Sequence, residues 1–217
     1  MRVIYSIITL GIWIGIVLLS AISLKRIFPN QSELSRKAVH IGTGPIIPLA
    51  WYLDLPQQLG IAISSIVTIM LMINYKINLL PEIEAIQRKS LGTVAYGISI
   101  TFLFITLWPS NPAAVTAGVL AMAFGDGFAG LLGSKIKSPS WQILGERKSI
   151  VGTITMLIVV ALTLIFISLF NGIPIQTNII IVLTLLTVGL EQIGPWGIDN
   201  LTVPILTAFG WHWLVSN

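Results

Sequence analysis

Residues Ala121 to Thr153 read AMAFGDGFAGLLGSKIKSPSWQILGERKSIVGT. The stretch sets a carboxylate inside an apolar run of helical length, follows it with a basic segment, and enters a second apolar run at Ile150. A carboxylate surrounded by hydrocarbon is costly, so Asp126 needs a charged partner, a wet cleft or a bound cation. Gly125, Gly127, Gly130 and Gly133 surround it and remove side-chain bulk, which lets another backbone or a ligand approach. With Lys135, Lys137, Arg147 and Lys148 just downstream, the stretch predicts a cation-plus-phosphate site where helices meet a membrane surface.

The composition agrees with a membrane setting. Of 217 residues, 55% are hydrophobic and only 9% charged, against roughly 25% charged in soluble domains. Several apolar runs reach or approach the ~20 residues that cross a bilayer as helix, and the period-2 alternation of an outer-membrane barrel is missing. The expected fold class is all-α, a polytopic membrane protein of about seven to eight transmembrane helices forming one domain over residues 1–217. The absence of cysteine excludes disulfides, thiolate catalysis and Cys-ligated metals. The sequence pI of about 9.6 would also suit nucleic-acid binding, but the placement of the charges points to topology, and no nucleic-acid partner is expected.

Working outward, the expected spans are about 3–24, 38–53, 59–75, 91–108, 113–133, 150–170, 179–193 and 201–215. The second contains Pro45 and Pro48 and is expected to be kinked or partly unwound. Gly11 and Gly15 form a G-x-x-x-G in the first, a helix-packing pattern. Trp51, Trp108, Trp211 and Trp213 fall near span ends and predict an interfacial belt. The loops 25–37, 76–89 and 135–148 share one side and contain all the Lys and Arg except Arg2, whereas the opposite loops have none. The positive-inside rule makes the basic side cytoplasmic. Nearly all the acids collect there too.

Arg-Lys followed by Gly-Thr occurs three times: RKAVHIGT from Arg36, RKSLGT from Arg88 and RKSIVGT from Arg147. If each copy opens a helix, unpaired N–H groups, the dipole and the two cations together make an anion site, and three such sites would suit a triphosphate. Arg36, Lys37, Arg88, Lys89, Lys135, Arg147, Lys148, Ser149 and Gly152 are the expected phosphate-binding set. Snorkelling of the cations to lipid headgroups is the plainer reading of any one copy.

Asp126, Glu191, Asp199 and Asn200 offer oxygen donors that suit Mg²⁺. For Asp126 the structural alternative is a helix-to-helix bond to Ser, Thr or Trp, and for Asp199 it is capping of the last helix. His40 lies one turn after Arg36 and is a candidate to take a substrate proton, alongside Asp126 and Asp199 as catalytic residues. His212 is assigned to structure. The formal G-x-G-x-x-G at Gly125 to Gly130 lies within an apolar helix, so no dinucleotide fold is expected, and no P-loop is present.

At RKAVHIGTG, RKSLGT, AFGDGFAGLLG, GERKSIVGT and the spacing from Glu191 to Asp199-Asn200 and Pro204, the chain resembles the polyprenol kinase family of phytol, farnesol and dolichol kinases. The resemblance covers most of the chain from Arg36 to Pro204 and looks closest to the phytol kinase branch. It implies CTP-preferring, Mg²⁺-dependent phosphorylation of an isoprenoid alcohol dissolved in the membrane, on the cytoplasmic side, in phytol salvage for tocopherol and prenyl-lipid synthesis. A CTP-dependent lipid cytidylyltransferase and a transporter of an anionic lipid or ion remain as alternatives.

Overall fold

In the computed structural model, residues 1–77 and 91–216 are described. Ten helices make up nearly all of this: α1 (Arg2–Ile27), α2 (Ser32–Thr43), α3 (Ile46–Tyr52), α4 (Gln57–Ile77), α5 (Gly92–Thr106), α6 (Pro112–Leu120), α7 (Gly127–Lys135), α8 (Ile150–Phe170), α9 (Thr177–Gln192) and α10 (Asp199–Ser216). The chain is an all-α membrane protein. Helices α1, α4, α8 and the continuous α6–α7 shaft are long and apolar enough to cross a bilayer, and α5 and α9 are shorter apolar helices.

The shaft is the centre of the bundle. Its most apolar window is 67% buried, against 17% for α1 and α4, which turn their Ile and Leu side chains outward. It starts on Pro112, whose missing N–H costs nothing at a first helical turn, and Asn111 Oδ1 accepts the Ala114 N–H at 2.9 Å as its cap. Ala113, Ala114, Ala117 and Ala121 are almost sealed, and α10 packs against this small-residue surface. Gly118 sets the distance, because a Cβ there would run into the Pro204 carbonyl of α10.

One expectation holds and two change on contact with the tertiary structure. The second span is two helices, α2 and α3, parted at Gly44-Pro45 where proline supplies no N–H. Trp108 and Trp211 are not interfacial: they are 7% and 1% exposed, and Trp108 donates its indole N–H to the Leu55 carbonyl. Gly11 and Gly15 do not form a close helix-packing face among the described residues, since a Cβ at either would touch nothing within 4 Å. His212 does take a structural contact, with its Nδ1 3.1 Å from Asn111 Nδ2.

The basic segment after α7 is not an irregular loop. Ser140–Ile143 (β1) and Glu146–Ser149 (β2) pair antiparallel, with Trp141 opposite Lys148 and Gln142 opposite Arg147. The two-residue turn has Leu144 at φ +50° and Gly145 at φ +85°, the positive dihedrals that match strand twist. The hairpin runs straight into α8.

Candidate active site

Asp126 stands at a change of helix type. Ala121–Asp126 is a π-helical turn inside the shaft, a wider coil of the kind found at functional sites. Its side chain meets α2, where Lys37 places Nζ 2.6 Å from Asp126 Oδ2 and 3.0 Å from the Asp126 carbonyl oxygen. Three residues along α2, His40 Nε2 lies 3.3 Å from the Met122 carbonyl oxygen and 3.4 Å from Asp126 Oδ2. The partner of Asp126 is therefore a lysine, not the Ser, Thr or Trp of the structural alternative.

A second pair is built from β2 and the last turn of α9. Lys148 Nζ donates to the carboxylate and the backbone oxygen of Glu191. Gln192 Nε2 donates to the other carboxylate oxygen at 2.8 Å and to Thr153 at 3.2 Å. Burial opposes the charge on Lys148, but Glu191 outweighs it and raises the ammonium pKa.

Past Glu191 the chain turns on Gly194 and Pro195, with Trp196 at φ +55°, and returns at Asp199. Asp199 Oδ1 accepts from the Asn200 backbone N–H at 3.0 Å and its Nδ2 at 3.2 Å, so the carboxylate is held by its neighbour in sequence, without the reach to later N–H groups that a cap makes. Burial, with Asp126 and Glu191 close by, pushes its pKa up to about 7 against the pull of Lys148. One carboxylate oxygen from each of Asp126, Glu191 and Asp199 lies within 4.8 Å of the others.

The acids sit on the wall of a cavity of about 600 Å³. Arg36, Lys37, Arg147 and Lys148 line the same wall. Arg36 is paired with Glu33 at 2.8 Å. A cavity lined by five carboxylates and five cations, the three clustered acids among them, can hold a polyanion and its metal together, and this charge pattern, on a membrane bundle, is the one for which phosphoryl transfer has use.

One curated relative decides the family. The chain is 35% identical over 201 residues to the phytol kinase of Synechocystis sp., covering 90% of this chain and 85% of the relative. The chain belongs to the phytol kinase-like polyprenol kinase family. No protein-family model and no solved structure matches it.

Against the residues this family resemblance singled out, the cavity gathers Asp126, Glu191, Asp199 and Asn200 with Arg36, Lys37, Arg147, Lys148, Ser149 and Gly152. Lys135 and His40 do not line it; Lys137, two residues beyond the end of α7, does. Arg88 and Lys89 lie outside the described residues. The idea of three helix entrances fails in the first copy and holds in the last. Arg36 and Lys37 are in the second turn of α2, with Gly42-Thr43 at its end, and Arg147-Lys148 are on a strand. The last copy does feed a helix N-terminus, where Ser149 Oγ accepts the Gly152 N–H at 3.2 Å and caps α8, and Gly92 of the middle copy opens α5.

Gln192 and Thr153 escaped sequence reasoning. The available signal was position: Gln192 follows Glu191 directly before the Gly194-Pro195 break, and Thr153 is one turn into α8.

The three acids fit a hard divalent cation. All offer oxygen, the donor a hard divalent cation takes, with one oxygen of each within 4.8 Å of the others.

Proposed function

We propose that this chain is a kinase that moves the terminal phosphoryl group of a nucleoside triphosphate, with CTP the expected donor, to the hydroxyl of an isoprenoid alcohol held in the bilayer. Phytol is the first candidate acceptor, with geranylgeraniol and farnesol next, in phytol salvage for tocopherol and prenyl-lipid synthesis. The cavity would open to the cytoplasm. The observation that carries this reading is the three-carboxylate cluster on a cavity wall that also presents Arg36, Lys37, Arg147 and Lys148. The 35% identical phytol kinase supports the same assignment.

Asp126, Glu191 and Asp199 would hold Mg²⁺, with the Asn200 side chain beside them on the wall. When bound there, the ion supplies neutralisation of the nucleotide's phosphate charge. Phosphoryl transfer needs in-line positioning and charge stabilisation more than a protein nucleophile, so the basic residues carry much of the work. Arg36 and Arg147 bind the phosphate oxygens, and their planar donors fix orientation as well as charge. Lys148, on β2 beside the start of α8, adds a point charge next to Glu191. The alcohol's hydroxyl proton goes to a carboxylate of the cavity wall. Asp199, on that wall beside Asn200, is the candidate to accept it. His40 packs behind Asp126 against Met122 and Tyr96 and serves to orient that carboxylate.

The test is direct. Purified protein is incubated with labelled CTP, ATP, UTP or GTP and a panel of phytol, farnesol, geranylgeraniol and dolichol. The expected products are an isoprenoid monophosphate and CDP. Release of pyrophosphate would assign a cytidylyltransferase instead, and lipid or ion flux without nucleotide consumption would assign a transporter.

A further inference from the structure

Gly130 lies one turn beyond Asp126 on the same face of the shaft, four residues along, so its Cα faces the ground beneath the carboxylate. That ground is occupied. A Cβ at Gly130 would stand 2.5 Å from Lys37 Cε and 2.7 Å from Lys37 Nζ, closer than any side chain tolerates. The same groove takes a second α2 side chain, because a Cβ at Gly127 would collide with Ile41. Residues 37 and 41 of α2 therefore ride in slots left by residues 130 and 127 of α7. The two slots differ in what they admit. Ile41 brings packing, whereas Lys37 brings an ammonium that is 6% exposed and sits 2.6 Å from Asp126.

The atoms a methyl at position 130 would strike are the far end of a flexible chain, so the ammonium would give way and the backbones would not. A buried lysine with its carboxylate is a counter-charge already in place. The cation proposed above must share or displace it.

We infer that Gly130 is a positioning residue: its missing side chain is the slot that seats the Lys37 ammonium on Asp126, so that lysine is the counter-charge of this carboxylate until the metal and nucleotide arrive together. The inference rests on the reading of Asp126 as a cation ligand. It explains why a cluster of three acids is stable on a buried wall, and it makes free metal a weak ligand until the polyanion draws Lys37 toward its phosphates.

The experiment uses the full chain in phosphatidylcholine nanodiscs, with Mn²⁺ binding read by electron paramagnetic resonance in the absence of nucleotide. Gly130→Ala keeps the lysine's charge but moves it, and is expected to bind Mn²⁺ on the order of tenfold more tightly than the unaltered chain. Lys37→Ala should bind at least as tightly. The double variant should bind no more tightly than Lys37→Ala alone, because the glycine acts through the lysine. Binding by Gly130→Ala equal to that of the unaltered chain overturns the inference, as does a Gly130→Ala effect that persists in full without the lysine. Should Gly130→Ala alone fail to fold, the double variant is expected to fold, since alanine at 37 vacates the slot; a double variant that also fails to fold overturns the inference. If Lys37→Ala and the Lys37→Ala/Asp126→Asn double variant bind Mn²⁺ alike, the cation reading itself falls, and this inference with it.

Discussion

The two described Arg-Lys copies share a sequence and end at the same cavity, yet they get there on different backbones. Lys37 rides on α2 and reaches Asp126 across a helix–helix contact. Lys148 rides on a strand and reaches Glu191 across the start of α8. What they have in common is the outcome, a buried ammonium on a buried carboxylate, and the lesson is that the motif specifies a chemical pairing and not a local structure. They differ in their second contacts. Glu191 keeps a hydrogen bond donated by the Gln192 side-chain amide when its lysine is ignored, whereas Asp126 has His40 at 3.4 Å.

The hardest way to break the comparison is to remove one acid of the proposed cation site. Asp126→Asn is expected to lower phosphoryl transfer by at least about a thousandfold while the protein still inserts. An alcohol-phosphorylation assay on membranes with matched protein levels checks it, and near-normal turnover would take Asp126 out of the mechanism.

The lysines come next and sharpen the contrast directly. Replacing one partner of a buried pair leaves an uncompensated charge and costs about 3 to 5 kcal/mol. Lys37→Met should fall near the upper end, and Lys148→Met near the lower end because Gln192 still donates to Glu191. Unfolding of the two variants in mixed detergent micelles measures the order; a larger loss at Lys148 would show that the amide contributes little.

Ser149 belongs to the strand-borne copy alone. Ser149→Ala should cost about 1 kcal/mol by uncapping α8. The same unfolding series reads it. The smallest expected effect is a gain. Leu144 carries φ +50° and is 64% exposed, so Leu144→Asn should relieve the left-handed turn and stabilise the hairpin by a few tenths to about 1 kcal/mol. An unchanged or lowered melting temperature would mean that the leucine makes contacts of its own.

Much of this architecture was legible from residues alone. The apolar runs located the helices because hydrocarbon leaves few alternatives to a helix, and Pro45, Pro112 and Gly194-Pro195 marked breaks because proline gives no N–H. Asp126, Glu191 and Asp199 stood out because acids are rare in such a sequence. The hairpin was not legible: four-residue strands carry too little periodicity beside a basic segment. Nor were the buried Trp108 and Trp211, since an indole near a span end looks the same whether it faces lipid or another helix.

Residue chemistry alone makes the chain a helical membrane protein with most of its acids and bases gathered at one end, because the cost of charge in hydrocarbon acts on each residue wherever the helices go. Only the tertiary structure decided which base meets which acid, that Lys37 passes over Gly130 to Asp126 and Lys148 turns to Glu191. Ion pairing depends on distances of a few ångströms between residues some 40 to 90 positions apart, and those distances are set by how small residues let the helices approach.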